Sequence, residues 1–169
     1  MSKRRPINNG WWIGLGLIAI GVVVAATELR PTPSVQAAAP DTVVVYKSPT
    51  CNCCSKWIEH LKQAGMQVEV HNESEMSLVK TRLGVPEKLA SCHTATVNGY
   101  VIEGHVPVED IKQLLATRPK AKGIAVPGMP VGSPGMEMGN SIEPYDVLLI
   151  PADQQAPTVF AHHGPSPSP

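Results

Sequence analysis

Three of the four cysteines of this 169-residue chain lie within four positions, in the segment Cys51-Asn52-Cys53-Cys54. Cys51 and Cys54 form a C-x-x-C pair, and Cys53 adds a third thiol between them. If the pair begins a helix, the helix dipole and the free backbone N–H groups lower the pKa of a thiol there. Such a thiol suits both soft-metal ligation and thiol–disulfide exchange, and a structural disulfide is the alternative in an exported protein.

The fourth cysteine, Cys92, is followed directly by His93. A lone Cys-His dipeptide predicts little, so its interpretation depends on whether the fold brings it to the other three thiols. Thiolate and imidazole together are ligands for Cu(I) or Zn(II). His105, thirteen residues after Cys92, is a candidate further ligand, although a solvent-facing histidine fits that position equally well.

Half of the six methionines occur in one loop rich in glycine and proline, at Met129, Met136 and Met138. Thioether sulfur is a soft, uncharged ligand that selects Cu(I). Met136-x-Met138 resembles the methionine pairs of exported copper carriers. The alternative is that these side chains fill gaps in an irregular surface.

Apolar periodicity predicts the elements around the cysteine segment. The β-branched run Thr42–Tyr46 predicts a central, buried strand. Apolar residues then recur at helical spacing from Cys54 to Ala64, and Gly65 is suited to end that helix. Alternation from Met66 to His71 predicts a second strand.

Further signals predict a second helix, a hairpin and a third helix. The segment Asn72–Glu75 resembles a capping box, and Gly84 is suited to end the helix that follows. Asn98-Gly99 between two β-branched runs is a strong hairpin signal. Pro107 is suited to begin the third helix, which ends before Pro119.

The resulting order, β-α-β-α-β-β-α with a C-x-x-C pair after the first strand, predicts an α/β domain of thioredoxin-like fold. We expect residues 122–140 to form an added loop and Asp146–Ile150 an added strand. In a thioredoxin-like fold, the segment before the third strand lies beside the C-x-x-C pair and usually carries a cis-proline. Here that segment holds Cys92 and His93, which predicts one metal site shared with Cys51 and Cys54 (or Cys53).

The ends of the chain predict export and a tail. A basic segment, residues 1–10, precedes the uncharged span 11–27, which is a transmembrane anchor or a signal-peptide core. Residues 28–40 then form a linker with small residues suited to cleavage. Either interpretation places the domain, residues 41–150, outside the cytoplasm, on the periplasmic side of the inner membrane. The Pro-rich residues 151–169 predict a disordered tail.

Composition and missing motifs exclude several functions. The formal net charge is zero and aromatic residues make up 4% of the chain, which argues against nucleic-acid binding. The chain contains no phosphate-binding glycine loop, nucleophile elbow or H-E-x-x-H motif.

Three segments in this order, SPTCNCC, SCHTATVNGYVIEGHVP and GIAVPGMPVGSPGMEMG, resemble a bacterial family of small exported domains. Its members are described as metal-binding proteins or domains of unknown function, and some are associated with copper-resistance genes. The resemblance covers roughly residues 43–150 and implies a thioredoxin-like fold and copper handling. The candidate ligands in these segments are Cys51, Cys53, Cys54, Cys92, His93, His105, Met129, Met136 and Met138.

Together these observations predict an exported protein that binds copper as Cu(I) for storage, delivery or detoxification, with a copper-donating or copper-accepting protein as partner. The sequence favours a binding protein over an enzyme. The alternative is a periplasmic thiol–disulfide oxidoreductase in which Cys51 attacks and Cys54 resolves. A zinc-stabilised structural module is the third possibility.

Overall fold

The computed structural model describes residues 41–153 and 155–165 of the chain, which form a mixed α/β unit. Its elements, in chain order, are β1 (Thr42–Lys47), α1 (Asn52–Gln63), β2 (Gln67–Asn72), α2 (Met76–Leu83), a 3-10 turn (Glu87–Leu89), β3 (His93–Val97), β4 (Tyr100–Glu103), α3 (Val108–Thr117), β5 (Ala121–Ala125), β6 (Tyr145–Pro151) and β7 (Thr158–His163). The predicted order from β1 to α3 is confirmed, and so is the added strand, which is β6.

All seven strands form one sheet, in the order β2-β1-β3-β4-β5-β6-β7. β1 pairs parallel with β2 and antiparallel with β3, and β3 pairs antiparallel with β4. The predicted hairpin turn is present: Asn98 and Gly99 have φ values of 48° and 82°, and Val97 pairs with Tyr100. Positive φ at both turn residues matches the twist of the flanking strands, which explains the Asn-Gly pair.

The main core lies between the sheet and the helices α1 and α3. Val43 and Val45 of β1 contribute fully buried side chains, as do Trp57 and Leu61 of α1 and Ile111 of α3. These are the positions that apolar periodicity places on the inner face of each element. The core therefore fixes the start of α1, where the cysteine segment lies, against the sheet.

The predicted capping box at Asn72–Glu75 is wrong. Asn72 continues β2, where it pairs with Lys47 of β1, and α2 begins only at Met76. Glu75 occupies the N-cap position, but its side chain makes no capping hydrogen bond. Sheet pairing has extended the strand into residues whose local pattern favours a helix start.

Residues 122–140 are not a loop throughout, because Ala121–Ala125 forms β5, parallel to β4. Gly123, which looks like a loop residue in the sequence, is needed inside the sheet. A Cβ atom at this position would lie 1.8 Å from the carbonyl oxygen of Val101. Close approach of the two backbones therefore requires glycine here.

The predicted disordered tail, residues 151–169, is also wrong in part, because Thr158–His163 forms β7, antiparallel to β6. Phe160 and Ala161 pack against the main core. His163 forms a 2.6 Å hydrogen bond with Asp110 of α3. These tertiary contacts order a segment whose proline-rich surroundings predicted disorder.

No helix within residues 41–153 and 155–165 is long and apolar enough to cross a bilayer. The predicted anchor or signal core, residues 11–27, lies outside the described residues, as do the basic segment, residues 1–10, and the linker, residues 28–40.

Candidate metal centre

The cysteine segment forms the N-terminus of α1. Cys51 is the N-cap residue, and its Sγ accepts a 3.4 Å hydrogen bond from the backbone N–H of Cys54. A disulfide joins Cys51 and Cys54, whereas Cys53 and Cys92 are free thiols. The segment thus begins a helix, as the sequence predicted, and the structure shows its C-x-x-C pair in the oxidised state.

Cys92 lies against this segment, although it is 38 residues or more away in the sequence. Its Sγ atom is 3.5 Å from the Sγ of Cys54 and 3.8 Å from the Sγ of Cys53. The Sγ atoms of Cys51, Cys53, Cys54 and Cys92 all lie within 4.8 Å of one another. The fold therefore brings Cys92 to Cys51 and Cys54, as the sequence predicted, and places Cys53 beside them rather than as an alternative to Cys54.

Two imidazoles approach the same thiol. The Nε2 atom of His105 is 3.0 Å from the Sγ of Cys92, and the Nδ1 atom of His93 is 3.3 Å from it. One ligand atom from each of these three residues lies within 4.8 Å of the other two. We call the six residues of the two groups the Cys92 cluster, and they are Cys51, Cys53, Cys54, Cys92, His93 and His105. The structure does not favour the solvent-facing interpretation of His105, whose side chain is fully buried.

The tautomer of His105 follows from its second hydrogen bond. Its Nδ1 atom lies 2.8 Å from the carbonyl oxygen of Pro134. Because a carbonyl oxygen only accepts, Nδ1 carries the proton, and the lone pair of Nε2 faces Cys92. Burial lowers the pKa of His105, which favours this neutral form. Metal-binding histidines are typically oriented by such a bond on the opposite nitrogen.

His93 is fully buried and has an incomplete set of hydrogen bonds. Its Nε2 atom has no hydrogen-bond partner among the described residues. The ring packs 4.3 Å from the ring of Trp57 and edge-on to that of His105. Burial, followed by the neighbouring His105, holds the pKa of His93 well below 6.5. The neutral imidazole that results is the form that binds a metal ion.

Burial also raises the pKa of Cys92, from 9.0 to about 12, with the neighbouring Cys53 as the second cause. The thiol is therefore protonated at neutral pH. Thiolate ligation requires loss of this proton, so a metal ion that binds Cys92 must displace it. A soft ion with a strong preference for thiolate is suited to that exchange.

The loop that carries the methionines covers the start of α1. A Cβ atom on Gly135 would lie 2.7 Å from the carbonyl oxygen of Cys53 and 2.8 Å from the backbone nitrogen of Trp57. Glu137 accepts hydrogen bonds from the N–H of Gly135 (2.8 Å) and from Nε2 of His60 (2.7 Å). The loop therefore packs against α1 and is hydrogen-bonded to it, beside the Cys92 cluster.

The methionines themselves differ in exposure. Met129 and Met138 are 52% and 63% exposed, whereas Met136 is partly buried. Exposure of this size disfavours the alternative that Met129 and Met138 fill gaps in packing. Their role as ligands remains a prediction.

Sequence reasoning missed a buried carboxylate behind the cluster. Glu103, the last residue of β4, is fully buried and paired with Lys80 of α2. It also accepts hydrogen bonds from residues on either side of the Cys92-His93 pair. The sequence did contain a signal, because Glu103 directly follows the apolar residues Tyr100–Ile102. An acidic side chain at the end of a buried strand is itself expected to be buried, and a buried charge requires a partner of opposite charge.

The fold and the site define a class of small α/β protein in which a cluster of cysteine and histidine lies where a sheet meets the N-terminus of a helix. The profile of a family described as "Protein of unknown function, DUF411" matches residues 89–136, which include Cys92, His93 and His105. Among curated proteins, no match to this chain was found.

Two solved structures are similar to this chain. Copper resistance protein CopG, form 2, is 44% identical with a TM-score of 0.71, and the alignment covers 75% of this chain and 100% of that one. Form 1 is 45% identical with a TM-score of 0.69, covering 74% and 98%. The chain belongs to the family of copper resistance protein CopG. The resemblance to a copper-resistance-associated domain of unknown function is confirmed.

Proposed function

We propose that this chain binds copper as Cu(I) through the Cys92 cluster. The observation that carries the proposal is the position of one thiol, Cys92, within 3.0–3.8 Å of two imidazole nitrogens and two further sulfur atoms. Thiolate and neutral imidazole are the soft and borderline ligands that favour Cu(I) among biological metals. The names of the similar CopG structures support copper over other thiophilic ions.

The spacing of the donor atoms suits shared ligation. Two ligands at about 2.0–2.3 Å from one ion are separated by about 3–4 Å. The distances from Cys92 Sγ to His105 Nε2 and His93 Nδ1, 3.0 and 3.3 Å, lie in that range. Only small side-chain movements are needed to admit an ion.

The redox state of the Cys51–Cys54 pair sets how many donors are available. With the disulfide formed, Cys92, His93, His105 and Cys53 remain as donors. Reduction adds two thiols that already lie next to Cys92. The reduced chain should therefore hold copper more tightly than the oxidised chain.

Storage, delivery and detoxification all require that copper reaches and leaves this site. Cys53 is partly exposed. Met129 and Met138 are exposed on the methionine loop, which covers the start of α1. We propose that this loop is a second site or a transfer surface for a copper-donating or copper-accepting protein. Thioethers bind Cu(I) without an ionisable proton, which allows ready exchange.

The proposed setting is the periplasmic side of the inner membrane, with residues 11–27 as anchor or cleaved signal. We further propose that the unit from β1 to α3 is thioredoxin-like. The order β2-β1-β3-β4, with a C-x-x-C pair between β1 and α1, supports this assignment.

The test is a Cu(I) titration of the reduced full chain against a competing chelator, with wild type, Cys92→Ser/His93→Ala, and His162→Ala as control. His162 is exposed and bonded to Asp146, on strands that carry no cluster residue. We expect tight binding in wild type and control, weakened at least about 100-fold in the double variant. Equal binding by all three would refute the proposal. One retained equivalent of zinc that copper does not displace would support the structural zinc module instead.

A thiol–disulfide oxidoreductase is the second candidate, favoured by the observed Cys51–Cys54 disulfide at the start of α1. In that reaction the Cys51 thiolate attacks a substrate disulfide, forming a mixed disulfide and releasing one substrate thiolate. Cys54 then attacks Cys51, which releases the second substrate thiolate and leaves the protein disulfide. Insulin reduction with dithiothreitol distinguishes the candidates: turnover retained by Cys92→Ser/His93→Ala and lost in Cys51→Ser favours the enzyme.

A further inference from the structure

A fully buried carboxylate lies behind the Cys92 cluster. Oε1 of Glu103 accepts hydrogen bonds from Nζ of Lys80 (2.5 Å) and from the backbone N–H of Ser91 (2.6 Å). Its Oε2 accepts a 2.6 Å bond from the hydroxyl of Thr94, which in turn accepts from Lys80 at 3.0 Å. Burying the Glu103 carboxylate completely, beside a Lys80 side chain that is 14% exposed, is costly, and such a pair offers little net stability over apolar residues. A role beyond stability therefore has to explain it.

The hydrogen-bond partners of Glu103 flank Cys92, which directly precedes β3, and His93, the first residue of β3. Ser91 immediately precedes Cys92, and Thr94 immediately follows His93. A single carboxylate thus binds the backbone on one side of the Cys-His pair and a side chain on the other. We call Glu103, Lys80, Ser91 and Thr94 the Glu103 bracket.

The Glu103 bracket also contacts the turn at Gly104, which leads from β4 to His105. Gly104 joins Glu103 to His105, and its N–H donates to the carbonyl oxygen of His93 at 3.0 Å. Gly104 has φ of +73°, and a Cβ there would lie 2.5 Å from the carbonyl oxygen of Val126 and 2.6 Å from Cβ of Ser91. The turn that directs His105 to Cys92 is therefore packed against the bracket without spare room.

We propose that Glu103, charge-paired with Lys80, is a positioning residue that sets the relative placement of Cys92, His93 and His105 and thereby the Cu(I) affinity of the cluster. The proposal rests on the proposed function. Groups that orient metal ligands typically change metal affinity about 10–100-fold when they are removed. Ligand atoms have to be held within about 0.5 Å of their productive geometry, which a bracket on both sides of a dipeptide achieves.

Four variants of the full chain test the proposal. Glu103→Gln keeps the shape of the side chain but removes the charge and one acceptor oxygen. Thr94→Val removes one hydrogen bond and keeps the ion pair, and Thr94→Ser retains the hydroxyl. Asp110→Asn is the matched control, because Asp110 is also a buried carboxylate but bonds His163 of β7.

The first readout is copper binding of the reduced chain. We expect Glu103→Gln to weaken Cu(I) affinity about tenfold or more, with a lower ratio of nitrogen to sulfur ligands by X-ray absorption. Thr94→Val should lower the Cu(I) affinity and the ligand ratio in the same way. Thr94→Ser, which keeps the hydroxyl, should leave both within about twofold of wild type. Asp110→Asn should lower the melting temperature without changing either quantity. Affinity and ligand ratio unchanged in Glu103→Gln and Thr94→Val would overturn the proposal, as would an equal loss in Asp110→Asn.

The second readout needs no copper. Alkylation of Cys92 in the metal-free chain, followed by peptide mass, should be faster in Glu103→Gln than in wild type and unchanged in Asp110→Asn. If wild type fails to bind Cu(I), the proposed function fails, and this rate alone decides the positioning proposal. An unchanged rate overturns it. If Glu103→Gln does not fold, the comparison of Thr94→Val with Thr94→Ser decides in the same way.

Discussion

The Nε2 atom of His105 lies 3.0 Å from the Sγ atom of Cys92, while the opposite nitrogen of the same ring donates to the carbonyl oxygen of Pro134. One imidazole thus joins the segment before β3 to the methionine loop. Removing this ring therefore removes a candidate metal ligand and also a hydrogen bond that holds the methionine loop in place.

We therefore expect His105→Ala to weaken Cu(I) binding of the reduced chain by about tenfold or more, because a ligand and its orienting bond are lost together. A chelator competition titration measures this. His162→Ala, which changes an exposed histidine, should bind as wild type does. Wild-type affinity in His105→Ala would remove His105 from the ligand set.

Gly135→Ala should disturb the contact between the methionine loop and α1. Gly135 has φ of +86°, and a Cβ there would meet the backbone of Cys53 and Trp57 at 2.7 and 2.8 Å. Gly139, in the same loop with φ of +61°, has open space around it. We expect Gly135→Ala to lower the free energy of unfolding by at least about 1 kcal/mol more than Gly139→Ala, and to speed alkylation of Cys53. If both variants lost the same free energy of unfolding, the loss would come from the positive φ at each position and not from contact with α1.

Acidification should destabilise the metal-free chain. Burial is the largest cause of the lowered pKa of both His93 and His105, relative to 6.5. Below that value the unfolded chain binds protons that the folded chain does not, so this contribution is complete above about pH 6.5 and is lost as the pH falls further. Each histidine contributes up to about 1.4 kcal/mol per pH unit.

Urea unfolding at several pH values from about 7.5 to 5.5, in one fixed redox state, measures this slope. His105→Gln should show a shallower slope than wild type, because one of the two titrating groups is gone. A slope that is equally steep in the variant would show that other groups dominate.

The two free thiols should differ in reactivity. Burial raises the pKa of Cys92 to about 12, so little thiolate is present at about pH 8. We expect Cys53 in the disulfide-bonded chain to react with iodoacetamide at least about tenfold faster than Cys92. Peptide mass after timed quenching measures both rates, and the unfolded chain serves as control. Equal rates in the folded chain would contradict the raised pKa of Cys92.

The His163–Asp110 hydrogen bond should contribute to the stability of the folded chain, in addition to the pairing of β7 with β6. His163 bonds Asp110 at 2.6 Å, and Asp110 is only 4% exposed. His163→Ala leaves this carboxylate buried without its partner, which typically costs about 1–3 kcal/mol. His162→Ala breaks a similar bond to Asp146, but on exposed side chains. Thermal unfolding should therefore show a clear loss for His163→Ala and little change for His162→Ala.

Local patterns predicted most of the elements because each reports on its own segment. The 3.6-residue repeat from Cys54 to Ala64 gave α1, and Asn98-Gly99 gave the hairpin. The same reasoning failed for β5 and β7, whose residues look irregular or proline-rich in isolation. Those strands form because neighbouring strands supply their hydrogen bonds, and the residues of a strand do not by themselves record which strand will pair with it.

The site divides in the same way. Residue types alone determined its chemistry, since thiols, imidazoles and thioethers are soft donors wherever they lie, and the fold class allowed Cys92-His93 to be placed beside the C-x-x-C pair. Only the tertiary structure decided that His105 is buried against Cys92, that its Nδ1 binds Pro134, and that Glu103 encloses the Cys-His pair. Periodicity reports which face of an element is buried, whereas a contact between two elements depends on how the whole sheet and its helices pack.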